Sequence, residues 1–252
     1  MSDTRFLNIL PDPSYGRDEA GFEYNENGGL GQPFASFTLI NKQPIQTDKT
    51  ISGRAVNRMK VYNKWNVDIK YNPMSKAHFD PIYLFLMQRR GRLNPFFVSL
   101  PQYKAPKDSG FAYQVSTVES VLVPAGPSFP AGSNTLDITH GWDVTDNYDD
   151  GLPSIGDLFT VRDDFDTLHT KAYMVTRVET TRDGEYLEGN KPADLHVRIH
   201  FTPGLQREVP GATFLNFNDP MIQVVQMSDI TEYSLNTEDL YSFSVRLEEA
   251  FY

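Results

Sequence analysis

Trp65-Asn66-Val67-Asp68-Ile69-Lys70-Tyr71 alternates apolar and polar side chains without a break. Successive side chains of a strand point to opposite faces, so this period of two places Trp65, Val67, Ile69 and Tyr71 on one buried face. The same style returns near the C-terminus, where Tyr241, Phe243, Val245 and Leu247 alternate with Ser242, Ser244, Arg246 and Glu248. The likeness of the two strands predicts that they share a sheet. The chain between them then holds an insertion.

Around the first strand the punctuation is clear. Phe37, Leu39 and, after a polar interval, Ile45 suggest an opening hairpin, and Ser52-Gly53-Arg54 reads as a turn leading into a strand. A short helix follows, with Asp80 as N-cap, Pro81 in the first helical position and Gly91 in the left-handed C-terminal position. Ile82, Leu84, Phe85, Leu86 and Met87 are apolar nearly all round, which predicts a largely buried helix. Asn94 to Leu100 returns as a strand, and Pro101 to Gly110 reads as a linker.

Beyond the linker the rhythm is one of short strands and turns. Strands are predicted at Tyr113–Val123, Thr135–Thr139, Leu158–Val161, Ala172–Glu179, Leu195–Phe201 and Thr213–Phe217. Short strands at regular spacing without intervening helices suggest a small barrel or sandwich. The first 34 residues, rich in Gly, Asn, Asp and Pro, read instead as an extended arm.

Composition narrows the function classes. At 252 residues, with 39% hydrophobic and 13% aromatic content, the chain can bury a real core and is not disordered throughout. It has no cysteine, which excludes disulfides, thiolate metal sites and cysteine nucleophiles. Met1 to Pro13 carries Asp3 and lacks a sustained apolar core, unlike a signal peptide. No apolar run reaches bilayer length, and a soluble protein without membrane insertion is expected. Net charge is −10, yet Lys49 to Arg92 holds ten lysines and arginines against Asp68 and Asp80. That basic segment could contact nucleic acid, but the overall field repels phosphate at long range. Complementary faces in a homo-oligomer, or simply solvated strands, are the plainer readings.

The chemical motifs fail one by one. His196 and His200 lie four residues apart in a strand, about 13 Å, too far to share one metal; His78, His140 and His169 stand apart from them. The acidic run Asp143 to Gly151 lacks a calcium-loop frame because Tyr148 takes the middle ligand position. Asp163, Asp164 and Asp166 also lack that frame, and a solvated loop is the default for both. No carboxylate pair stands out for glycoside hydrolysis. There is neither a Gly-x-Ser-x-Gly elbow nor a phosphate-cradling loop with lysine. Trp65 is expected in the core. Trp142 is read first as core packing, with stacking on a sugar ring as the alternative.

Several segments, in their order, resemble phage distal tail proteins. Thr50-Ile51-Ser52-Gly53-Arg54, the Trp65–Tyr71 strand, the helix, Arg90-Gly91-Arg92-Leu93-Asn94-Pro95-Phe96-Phe97 and Arg246-Leu247-Glu248-Glu249-Ala250 look like the tail-tube-like domain of that family. Ala131 to Leu136, Gly156-Asp157-Leu158-Phe159, Tyr173-Met174-Val175 and Phe201 to Leu205 look like the small β-barrel inserted into some tail and baseplate proteins. The N-terminal arm is longer than the family pattern requires.

The resemblance implies a mainly β protein: a tail-tube-like β-sandwich or barrel with one short helix, plus an inserted small antiparallel β-barrel. The expected division is an arm over 1–34, a ring-forming domain over 35–110 and 219–252, and the inserted barrel over 111–218. The implied role is structural, a homohexameric ring joining the tail tube protein to hub or baseplate proteins. DNA would meet it only in passing through the channel. The chain would be assembled in the host cytoplasm and reside in the virion tail. No enzyme activity, catalytic or metal residue, or cofactor is expected. Another tail-tube-derived baseplate subunit, or a host-saccharide-binding module of the tail tip, are the alternatives.

Overall fold

The computed structural model describes residues 8–11, 33–43, 45–59, 63–117, 121–123, 128–138, 151–162, 171–180, 197–228 and 233–250. The protein is mainly β, with 47% strand among the described residues, and includes a sheet curled into a half-barrel. The described residues form two α-helices where the sequence reading expected one. The chain divides into two compact units, 1–98 with 223–252 and 99–222.

In the first unit, β1 (Phe34–Lys42) pairs antiparallel with β4 (Lys64–Tyr71). Between them in sequence, β2 (Ile45–Lys49) and β3 (Ala55–Met59) form a separate two-stranded sheet. The opening hairpin expected from Phe37, Leu39 and Ile45 is thus corrected. Phe37 and Leu39 lie opposite Ile69 and Val67 on β4, while Ile45 lies opposite Met59. The long-range partner wins because it lets β1 share an apolar face that the adjacent segment lacks.

β14 (Tyr241–Glu249) takes the other side of β4, with Val245 opposite Ile69 and Leu247 opposite Val67. Buried Trp65, Val67, Ile69 and Tyr71 thereby continue into buried Phe243, Val245 and Leu247. β12 (Met221–Gln226) and β5 (Phe96–Ser99) complete the order β1-β4-β14-β12-β5, and β13 (Tyr233–Leu235) pairs with the start of β14.

Helix α1 (Lys76–Arg89) begins a turn earlier than predicted, with Ser75 as N-cap and Pro81 inside. The extra turn buries Phe79, whose ring stacks 4.6 Å from Tyr241 and meets Phe243 edge-on at 6.0 Å. Ring burial of this size outweighs the proline penalty so near the N-terminus. The C-terminal end has Arg90 and Gly91 both left-handed, at φ 55 and 64. Ile82, Phe85 and Leu86 are buried, but Leu84 and Met87 are 52% and 54% exposed, so the helix is buried on one face rather than all round. Buried Gln226 donates from Nε2 to the Leu86 carbonyl at 2.8 Å.

The polar face of this sheet carries an ion pair between β4 and β14. Lys64 Nζ lies 2.5 Å from Glu248 Oε1, with both side chains about a quarter exposed. The Lys64 hydrogen bond, ahead of the charges of Lys64, Arg92 and Lys42, holds the Glu248 carboxyl below its ordinary value despite some burial. A depressed folded-state pKa gives stability that is full above the unfolded value and is lost as pH falls through the folded one. Glu248→Gln should therefore cost up to about 1 kcal/mol at neutral pH. In urea titrations the difference should vanish on acidification below the ordinary glutamate range.

The second unit holds the sheet β6 (Val121–Leu122), β11 (Phe214–Asn216), β8 (Leu158–Arg162), β9 (Ala172–Thr180), β10 (Val197–Thr202) and β7 (Thr135–Ile138), in that spatial order. Every pairing is antiparallel. Its core centres on Phe159, whose ring lies 5.2–5.5 Å from Phe217, Phe201 and Tyr173. The buried Tyr173 hydroxyl accepts the Gln206 amide at 2.9 Å. The strand expected from Tyr113 is instead helix α2 (Ser109–Thr117). Phe111 and Val115, four apart, are both buried on one helical face, and Asp108 Oδ1 accepts the Phe111 amide at 2.8 Å as an N-cap. The predicted linker likewise carries structure, a 3-10 turn at Pro101–Tyr103 followed by this cap.

Gly151 lies over that cap with φ +78, and a Cβ there would overlap Asp108 Oδ1 and the backbone of Phe111 and Gly110. Gly151→Ala must both strain its own backbone and displace the cap. A loss of about 2–4 kcal/mol is expected from those two contributions, measured by urea unfolding of the full chain.

Candidate assembly surface

The two edges of the first unit's sheet are treated differently. At β5, residues 8–10 run alongside: Leu10 donates its amide to the Phe97 carbonyl at 2.9 Å, and Phe97 donates to Asn8 at 2.7 Å. Ile9 forms a parallel bridge with Phe97, and Leu10 is 2% exposed. This part of the predicted arm therefore serves its own chain. At β1 the ladder is one-sided among the described residues, with β4 as the paired neighbour. Nine residues of edge strand follow an alternation of half-buried and exposed side chains. Such an edge offers backbone donors and acceptors to another strand.

The β2–β3 hairpin is a second unfinished surface. All described side chains from Ile45 to Arg58 are exposed, including Ile45 at 61%, Ile51 beyond the full reference value, and Val56 at 40%. Its tip is nevertheless well ordered by hydrogen bonds. Thr50 donates its amide to the Arg54 carbonyl at 2.9 Å, Gly53 donates to Thr50 at 2.8 Å, and Arg54 donates to Thr50 Oγ1 at 3.1 Å. Gly53 supplies the required positive φ of 80. An isolated hairpin is marginal in water, and among the described residues this one carries exposed apolar side chains, which makes it a candidate contact surface.

The basic segment does not form one patch. Lys49, Arg54 and Arg58 lie on the exposed hairpin, and Lys60 lies outside the described residues. Lys64 is paired with Glu248. Arg89 covers the Phe85 ring at 4.5 Å, and Arg92 donates to the Met227 carbonyl from Nη2 at 2.9 Å. Along the polar face of the sheet, Lys42, Lys64, Lys70 and Arg246 alternate with Asp68 and Glu248. The acidic surplus of the chain is therefore not on this face.

Other residues weighed from sequence fall as follows. Trp65 is core, at 4% exposure. His200, on β10, places Nε2 3.0 Å from Oε1 of Glu179 on β9, and Arg177 Nη2 lies 3.1 Å from the same oxygen. Beside them Arg198 grips Asp137 through two hydrogen bonds, 2.7 and 3.2 Å, across β10 and β7. The His200–Glu179 and Arg198–Asp137 contacts tie neighbouring strands together, whereas Arg177 and Glu179 share β9. His196, His140, His169, Trp142, Asp143 to Asp150 and the Asp163, Asp164, Asp166 cluster lie outside the described residues. Among the described residues, no three His, Asp or Glu side chains come together to hold a metal ion, and no helix is long and apolar enough to cross a membrane.

Sequence reasoning placed the Ser52-Gly53-Arg54 turn but missed that the hairpin stands free. The signal was available: Ile51 is an apolar residue at the centre of a turn, where a monomer gains nothing from it. No protein-family model and no curated protein matches the chain.

Proposed function

We propose that the chain is a structural subunit of a phage tail, forming a homohexameric ring at the distal end between the tail tube and the tip or baseplate hub. The observation that carries this reading is the unequal treatment of the two sheet edges. The chain covers β5 with its own residues 8–10 and leaves the nine-residue β1 one-sided among the described residues. A long edge that is one-sided among the described residues is an aggregation hazard in a monomer, and a closed ring in which β1 meets a different surface of the next copy would satisfy it in every subunit. The resemblance of the Thr50–Arg54, Arg90–Phe97 and Arg246–Ala250 segments to distal tail proteins supplies the setting.

In this role the sheet contributes rigidity and the open edge contributes contact, so closure of the ring is itself the activity. Light scattering on the purified chain should give about six protomers. A persistent monomer that is retained on cell-wall polysaccharide would instead favour a saccharide-binding module.

A further inference from the structure

Building on the ring reading, we infer that the β2–β3 hairpin of one copy docks on β13 and the following turn of the next copy. Residues directly opposite or two apart share a strand face, so Val56 and Arg58 share one face of β3, and Arg54 comes two residues before Val56 at the end of the turn. All three are exposed, and Ile51 projects at the hairpin tip. The two arginines flank Val56, and Asp48 of β2 stands opposite Val56 on the same face, so the face is net basic around an apolar residue.

The turn after β13 has the opposite character. Tyr233 and Leu235 share a face of β13 and are 49% and 52% exposed. Exposed Glu238 and Asp239 follow, and residues 233–240 contain no lysine or arginine. This acidic turn is held in shape from within: Asn236 Oδ1 accepts the amides of Glu238 at 2.9 Å and Leu240 at 2.8 Å. Asp239 sits at φ 58, a conformation that Asp and Asn tolerate better than other side chains. Its partner strand face is equally firm, since the Tyr233 ring packs 5.1 Å from Phe79 and 5.7 Å from Tyr241.

Both surfaces therefore combine exposed apolar side chains with net charge, positive on the hairpin face, where Arg54 and Arg58 outnumber Asp48, and negative on the turn, on a preformed backbone. A second copy is the occupant that the charges select, because the same chain presents both halves. The two halves are different segments, so the contact is head-to-tail and propagates around a ring rather than stopping at a pair. Steering between the basic and acidic halves also favours the correct register over stripe-to-stripe encounters, which would oppose like charges.

The test is a charge exchange read by light scattering and negative stain on the full chain. One variant carries Arg54→Glu and Arg58→Glu. The other carries Glu238→Arg and Asp239→Asn, asparagine being chosen because it keeps the left-handed backbone. Circular dichroism checks that both remain folded. Each variant alone should weaken assembly by about tenfold or more, while a chain carrying all four changes should recover most of it. Should wild-type rings form while both variants assemble normally, or should the four-change chain do no better than either variant, the docking is overturned and the ring reading stands. Should the wild-type chain itself stay monomeric, the ring reading falls and the docking falls with it.

Discussion

On the proposed ring assembly, the double substitution Thr38→Lys with Ile40→Lys is expected to leave a folded monomer of 28.6 kDa. Both positions lie on β1, the strand with β4 as its paired neighbour, and both side chains are exposed. They stand opposite Asp68 and Asn66 on the polar face, so neither lysine enters the core and one gains an acidic neighbour. Exposed substitutions of this kind usually change stability by no more than about 0.5 kcal/mol. A new strand laid against β1 would have to strip water from both ammonium groups, which is how natural edge strands refuse partners. Sedimentation velocity should show the single slow species, and the unfolding midpoint should stay near that of the parent. Rings that persist in this variant would remove β1 from the interface.

Phe159→Ala should have the largest effect on stability. The ring is fully buried and touches three others, Tyr173, Phe201 and Phe217, and Phe217 in turn packs edge-on against Phe111 of α2 at 5.2 Å. Its removal leaves a cavity bounded by rigid rings on β9, β10 and the chain after β11, which cannot collapse inward without breaking strand register. A loss of about 3–5 kcal/mol is expected. Since a whole domain commonly has only about 5–15 kcal/mol in hand, the 99–222 unit should melt well before the parent. Urea unfolding followed by tyrosine and tryptophan signals separates the outcomes. A change under about 1 kcal/mol would mean that Phe159 is not the centre of this core.

What could be read from sequence tracks the range of the interactions involved. β4 and β14 were legible because alternation is a local property, and their shared sheet followed from the likeness of Trp65–Tyr71 to Tyr241–Leu247. The mainly β character was legible for the same reason. The start of α1 was misplaced because Pro81 is a strong local signal, whereas Phe79 is buried by rings from β14, far along the chain. At α2, Tyr113 and Val115 favour β structure locally, but the Asp108 cap and the burial of Phe111 and Val115 on one face select the helix.

The candidate surface was the least legible part. Its residues were visible as a turn at Ser52-Gly53-Arg54 and a basic surplus, but exposure depends on what a segment does not pair with. β1 skips the hairpin to reach β4, and that choice leaves β2 and β3 with only each other among the strands of their sheet. No local pattern records it.

Negative-stain imaging of the purified, unmodified chain at rising concentration addresses the assembly claim most directly. Rings of about six subunits, with light-scattering mass near six times 28.6 kDa, are the expected result. A particle that remains single at every concentration, and also ignores tail tube and hub proteins, would contradict the account.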